Sequence, residues 1–374
     1  MSNLNYIEDY LNREYCFRYN ILTQRIFFCK QNDDGNYKLL TEYDLHSICR
    51  ELSHKNINFN ISELKNLLTS NFVPQFNPIQ EYFENLSNWD GKKDYIKEFC
   101  EKVKTTDDTY FKWVFKKWFV AMIACALEDD LLNHCALIFV GKQGIGKSTF
   151  IEKILPTELN EYIYSGKINP KDKDSIVLLS EKVLINMEEI GSFSKSQTEL
   201  FKDLLTKSII QLRRPYSIFS ESFVRRASFI GSTNNNDVLA DITGNRRFLV
   251  VEALAFDFSD YPNKHLLFAQ GYSLYQNGFQ YWFDRSEIEK VNQANENFRQ
   301  VSFEEYTLDR FFEVPKPNDK NLERFSATEL IETIKTLLEE NSSKELSPVE
   351  MGKALSSRGF QKQNKKYLVI RKQL

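Results

Sequence analysis

The sequence predicts an α/β protein centred on a three-layer domain with a largely parallel sheet. Three observations predict it. From residue 133 to about 257, short apolar runs alternate with helical stretches. A glycine-rich turn, residues 141–148, lies between one of those runs and a helix. A second apolar run, residues 183–187, ends in the paired carboxylates Glu188 and Glu189. Around this core the 374 residues divide into a small α/β N-terminal module (1–70), a helical linker or collar (71–128), the core (129–260), a helical segment (261–315) and a C-terminal winged-helix-like unit (316–374).

Composition bounds the reading. A hydrophobic share of 42%, a charged share of 27% and a net charge of -3 describe an ordinary chain with enough apolar residues for real cores. Net charge argues neither for nor against nucleic acid, so any binding surface has to be a local patch. Six scattered cysteines and four histidines form no zinc spacing. Most of the cysteines sit in apolar runs and read as reduced, buried small side chains, which fits a cytoplasmic location. No apolar stretch approaches the roughly 20 residues that cross a bilayer, so no membrane is expected as a partner.

Residues 17–20 and 25–28 read as a hairpin, with a second turn at 33–36. Thr41 caps a helix through His54, with Leu45, Ile48, Cys49 and Leu52 at helical spacing. Ser62 caps another, with Leu64, Leu67 and Leu68 inward. Residues 71–78 carry two prolines and read as a linker. Helical segments follow at 79–86, 95–103 and 110–127. The core runs are Ala136–Val140, 183–187, Ile209–Leu212, 227–231 and 247–251, and residues 262–300 return to helix.

The turn Gly141-Lys142-Gln143-Gly144-Ile145-Gly146-Lys147-Ser148 fits the phosphate-loop pattern without deviation, and Thr149 opens the helix behind it. Glycines let backbone N–H groups turn inward around a phosphate, and the helix N-terminus adds its dipole. Gly141, Gln143, Gly144, Ile145, Gly146, Lys147, Ser148 and Thr149 are therefore the expected nucleotide-binding residues. Lys147 supplies a cation to the outer phosphates, and the Ser148 hydroxyl suits Mg²⁺, which prefers hard oxygen ligands. The expected ligands are ATP and Mg²⁺.

Such a site needs a second element to hold the metal and orient water. Glu188 is assigned to the metal and Glu189 to the attacking water, with the two roles open to exchange. The run 227–231 ends in Ser232-Thr233-Asn234-Asn235-Asn236, where Asn234 is placed to sense the γ-phosphate or to position water. Asp241-Ile242-Thr243-Gly244-Asn245-Arg246-Arg247 then enters another strand. In a ring-shaped ATPase an arginine here reaches the neighbouring subunit's site and neutralises transition-state charge, so Arg246 and Arg247 are both candidates. A surface arginine paired with Asp241 is the competing reading.

The ordered set resembles the virulence-associated protein E family of phage, plasmid and genomic-island proteins, a superfamily 3 helicase-like branch of the AAA+ class. The stretches that carry the resemblance are Asn77-Pro78 through Asn88-Trp89-Asp90-Gly91-Lys92, the phosphate loop, Glu188-Glu189, Arg213-Arg214-Pro215-Tyr216, residues 223–234 and Thr243-Gly244-Asn245-Arg246-Arg247-Phe248. It implies a homo-hexameric ring that hydrolyses ATP and moves on single-stranded DNA during replication of a mobile element. The first acid after the 183–187 run is Glu where many phosphate-loop enzymes carry Asp, and residues 1–70 hold no acidic set of a primase. The alternative is a nucleotide-switched oligomeric initiator, or a phage-interference or regulatory DNA-binding protein, with little unwinding.

Residues 212–226 place two strand-like arms around a polar tip. The resemblance implies a hairpin in the ring channel, where Arg213 and Arg214 pair with phosphates and Tyr216 or Phe219 stacks on bases. At the C-terminus, Ser326 caps a helix, Ser347-Pro348-Val349-Glu350 starts a second that Gly359 ends, and a small basic hairpin follows. Helix, helix, basic wing is the order of a winged helix, with Lys362, Lys365, Lys366 and Arg371 facing duplex origin DNA. A protein–protein module is the competing reading.

Overall fold

The computed structural model describes residues 3–372 except 34, 58, 170–171, 189–194, 214–218, 240–244, 317–318, 320 and 339–345. The chain opens with α1 (Asn3–Glu14), β1 (Tyr15–Asn20), β2 (Arg25–Lys30), β3 (Lys38–Leu39), α2 (Glu42–His54), α3 (Ile61–Leu68) and β4 (Gln75–Phe76). Its sheet runs β3-β2-β1-β4, with β1 and β2 in the expected antiparallel hairpin. Thr41 and Asp44 form a capping box on α2, worth about 1 kcal/mol. The cap of α3 is Asn60, which exchanges bonds with Glu63, rather than Ser62. Residues 71–78 are more than a linker, because Gln75 and Phe76 pair in parallel with Tyr19 and Asn20.

Next come α4 (Pro78–Glu84), α5 (Tyr95–Glu101), β5 (Val103–Thr105) and α6 (Asp108–Leu127). From Trp118 to Ala126 every residue of α6 is buried, which makes it the central helix of one layer. No described helix is long and apolar enough to cross a membrane.

The core holds β6 (Ala136–Val140), α7 (Lys147–Glu152), β7 (Ile163–Gly166), α8 (Lys173–Glu181), β8 (Leu184–Glu188), α9 (Lys195–Thr206), β9 (Ile209–Leu212), β10 (Glu221–Val224), β11 (Ser228–Thr233) and β12 (Phe248–Phe256). Its six-stranded sheet is ordered β5-β12-β6-β11-β8-β7. All neighbours pair in parallel except β5, which is antiparallel to β12. Period-two alternation sends Leu137 and Phe139 into the cluster around α6, α7 and α10, and Ile138 and Val140 into the cluster around α8 and α9. That is the three-layer arrangement expected. The run 209–212, however, leaves this sheet and pairs antiparallel with β10.

The chain ends with α10 (Lys264–Gln276), α11 (Arg285–Asn295), α12 (Phe303–Phe311), β13 (Phe312–Glu313), β14 (Glu323–Phe325), α13 (Ala327–Leu337), α14 (Pro348–Ser357), β15 (Lys362–Gln363) and β16 (Lys366–Arg371). Helices α12, α13 and α14 share one apolar cluster under a small antiparallel sheet in which β16 pairs with β13, β14 and β15.

Candidate functional site

Strand β6 delivers the chain to the carboxyl edge of the parallel sheet, where Gly141 N donates to Thr233 O at 3.2 Å and ties the loop to β11. The loop turns through Gly144 (φ +82) and Gly146 (φ +101), backbone positions that favour glycine. Gly146 is the N-cap of α7 and offers no side-chain cap, so amides of the first turn are left for another acceptor.

The loop and the strand ends enclose a cleft of about 820 Å³. Gln143, Gly144, Gly146, Lys147, Ser148 and Thr149 line one side; Glu188, Ser232, Thr233, Asn234 and Asn235 line the other. Gly141 begins the same loop, and Ile145 packs against the α6 cluster. Sequence alone does not single out Ser232, Thr233 and Asn235. Their signal was the unbroken polar run after β11, which does not say which side chains face inward.

Lys147 is 7% exposed. Its ammonium donates to Gly141 O at 2.6 Å, Lys142 O at 2.7 Å and Asn234 Oδ1 at 2.8 Å, which accounts for its three protons. Burial pushes its pKa below the ordinary lysine value. Glu188 is the exposed last residue of β8 and pairs in register with Ser232, while Thr233 pairs with Val140. Two strand spacings put it about 10 Å across from the strand that carries the loop. Glu189 lies outside the described residues.

The described residues hold no group of three or more His, Cys, Asp or Glu that suits a metal. A hydroxyl and a carboxylate on one cleft, Ser148 and Glu188, fit Mg²⁺, which takes one or two protein oxygens and completes its shell with water and phosphate.

Arg246 and Arg247 stand elsewhere. They form a short 3-10 turn with Asn245 ahead of β12, whose Phe248 pairs with Ala136 at the amino end of β6. A five-residue strand separates them from the loop, about 16 Å at the usual rise. They line a different pocket of about 360 Å³ with Trp118, His134 and Trp282 among others. The structure thus brings Lys147, Ser148, Glu188 and Asn234 together and keeps both arginines at the opposite sheet edge.

Arg213 and Phe219 are exposed beside the β9–β10 ribbon, Phe219 at 73%; Arg214 and Tyr216 lie outside the described residues. The ribbon's base is pinned by the fully buried Arg225, whose guanidinium donates to Leu204 O and Asn133 O, each at 2.6 Å. On the C-terminal hairpin, Lys366 pairs with Glu329 at 2.9 Å and Arg371 with Glu323 at 3.5 Å. Lys362 Nζ lies 5.0 Å from the Tyr367 ring centroid, and Lys365 is exposed at the tight turn, with φ +66.

Comparison with known proteins adds three findings. No curated protein matches the chain. Among solved structures, the apo structure of the NrS-1 C-terminal region is similar at TM-score 0.53 and 14% identity, covering 98% of each chain. Its A form apo structure is similar at TM-score 0.52 and 14% identity, covering 99% of each. At that identity the likeness is one of fold. The family profile described as the virulence-associated protein E-like domain matches residues 83–300, more than half of the chain. The chain belongs to the virulence-associated protein E-like family.

Proposed function

We propose that this protein is an ATP-dependent DNA translocase of superfamily 3 helicase type, with an AAA+-class core, acting in replication of a phage or other mobile element. One observation carries the reading: Lys147 of the phosphate loop, Asn234 of β11 and Glu188 of β8 face one cleft at the carboxyl edge of a parallel sheet. In this reading the loop amides and Lys147 bind the β- and γ-phosphates, and Asn234 holds the ammonium toward the outer phosphate. Ser148 and Glu188 hold Mg²⁺, which supplies charge neutralisation of the phosphates when bound. Glu189 orients the attacking water, with its role and that of Glu188 open to exchange.

The position of Arg246 and Arg247 at the far sheet edge supports a trans role, because an arginine remote from its own cleft is free to reach a neighbour's in a closed ring, here a homo-hexamer. Single-stranded DNA is the proposed track, contacted by Arg213, Arg214, Tyr216 and Phe219, which fall between β9 and β10 in the sequence. The winged-helix-like unit adds duplex contact through Lys362 and Lys365. The test is displacement of a labelled strand from a forked duplex. Wild type is expected to release it only with ATP and Mg²⁺, and Lys147→Ala not at all. DNA-independent ATP hydrolysis with no strand release by wild type would instead favour the nucleotide-switched initiator.

A further inference from the structure

The cleft around Lys147 is lined by no aromatic side chain among the described residues. A nucleotide seated there has to find a surface for its base outside it, and this inference rests on the nucleotide reading above. Direction follows from strand order. Asn234 directly follows β11 and Glu188 ends β8, both to one side of β6, whereas β12 lies on the other. An outer phosphate held toward Asn234 and Glu188 leaves the nucleoside end pointing to the β12 side.

There β12 outruns β6. Glu252 pairs with Val140, and β12 continues through Phe256 alongside the loop. The turn after it is fixed: Asp257 Oδ1 accepts from Ser259 N at 2.9 Å and Ser259 Oγ at 2.6 Å, and Asp257 Oδ2 accepts from Lys102 Nζ at 3.0 Å. This turn sets the Phe258 ring against the phosphate loop, so close that a Cβ on Gly146 would stand 2.7 Å from two ring atoms. The ring is near-parallel to Phe256 (6.5 Å between centroids, 17°) and Tyr261 (6.4 Å, 4°). Phe139 and Phe150 below it are fully buried, but Phe258 is 38% exposed. The Lys153 ammonium lies 5.1 Å from its centroid. A flat ring, held by neighbours and partly exposed, loses little freedom when another flat ring covers it.

We propose that Phe258 is the platform on which the base of the bound nucleoside triphosphate stacks. The residue then sets affinity for the nucleoside and not for the phosphates. Because base–aromatic stacking tolerates any base, it favours nucleotides over bare polyphosphate without selecting one base.

The test is calorimetric titration of wild type, Phe258→Ala and Phe258→Trp with a non-hydrolysable ATP analogue and with tripolyphosphate, each with Mg²⁺. Phe258→Ala is expected to bind the analogue about tenfold or more weakly, to bind tripolyphosphate as wild type does, and Phe258→Trp to bind both normally. Unchanged analogue affinity in Phe258→Ala overturns the proposal. So does an equal loss for both ligands, which assigns the ring to holding Gly146 in place. In those two outcomes wild type still binds both ligands and the nucleotide reading stands; a wild type that binds neither overturns that reading and this inference with it.

Discussion

The Lys147 ammonium donates to Asn234 Oδ1 at 2.8 Å, so a side-chain contact joins the phosphate loop to the end of β11 beside the backbone bond from Gly141 N to Thr233 O. If that contact aims the ammonium at the outer phosphate, Asn234→Ala lowers kcat for ATP by about 10²-fold and changes KM little. Steady-state kinetics separate the two; a rise in KM at constant kcat would assign Asn234 to binding alone.

Burial lowers the Lys147 pKa, which gives opposite pH trends for stability and binding. Between the lowered value and about 10.5 the unfolded chain holds more protons than the folded one, so this lysine's contribution to stability rises with pH there. Phosphate affinity falls through the same window as the positive charge is lost. Lys147→Met is expected to abolish both trends, to keep stability within about 1 kcal/mol of wild type at pH 7, and to lose phosphate binding. Denaturant unfolding and nucleotide titration from pH 7 to 10 check both.

Arg246 and Arg247 sit at the amino edge of the sheet, remote from their own cleft. Chains carrying Arg246→Ala with Arg247→Ala, and chains carrying Lys147→Ala, are each expected to be inactive in ATP hydrolysis. Mixed in one ring they regain part of the activity if sites are shared. Mixed rings with no recovery would return the arginines to a structural role.

Glu305 is fully buried; its oxygens accept from Arg299 Nη1 at 2.7 and 2.6 Å and from the Ser357 hydroxyl at 3.2 Å. Burial acts to raise its pKa, but the bonds from Arg299, the Ser302 amide and Ser357 outweigh it and hold the carboxyl below the usual range. Its contribution is therefore present above the ordinary glutamate pKa and lost as pH falls through the folded value. Glu305→Gln leaves Arg299 without that counter-charge and is expected to cost about 3 kcal/mol at pH 7, with the difference from wild type shrinking in acid. Urea unfolding at pH 7 and below pH 4 measures it.

On the C-terminal hairpin, Lys366 and Arg371 are already paired with Glu329 and Glu323, while Lys365 is exposed at the turn. Lys362→Ala with Lys365→Ala is expected to reduce the salt slope of duplex binding by about 2, and Lys366→Ala by less. Fluorescence anisotropy across a salt series gives the slopes; equal effects of all three would mean the ion pairs open on binding.

Much of this was legible where local chemistry decides structure. The glycine-rich turn between β6 and α7, the fully buried β6 and the caps at Thr41, Ser326 and Ser347 all stand where their residue types place them. What escaped was set by distant partners. β4 and β5 are very short, and each exists because a longer strand, β1 or β12, lies beside it. β7, with its Tyr-Ser-Gly, has little apolar signal of its own and pairs with β8. The run 209–212 is apolar enough for the main sheet, but its partner is β10, and sequence periodicity does not name partners. In the cleft, the loop and Glu188 could be read from motif and strand end, while the inward turn of Ser232, Thr233 and Asn235 depends on how β11 meets Gly141.

The central claim is that the cleft around Lys147 drives an oligomer on DNA. It is tested most directly by measuring ATP hydrolysis with and without single-stranded DNA while recording mass by light scattering. The account predicts Mg²⁺-dependent hydrolysis that rises with DNA, in a particle of about six chains, and none in Lys147→Ala. Hydrolysis by Lys147→Ala equal to wild type, or a monomer whose turnover ignores DNA, would contradict it.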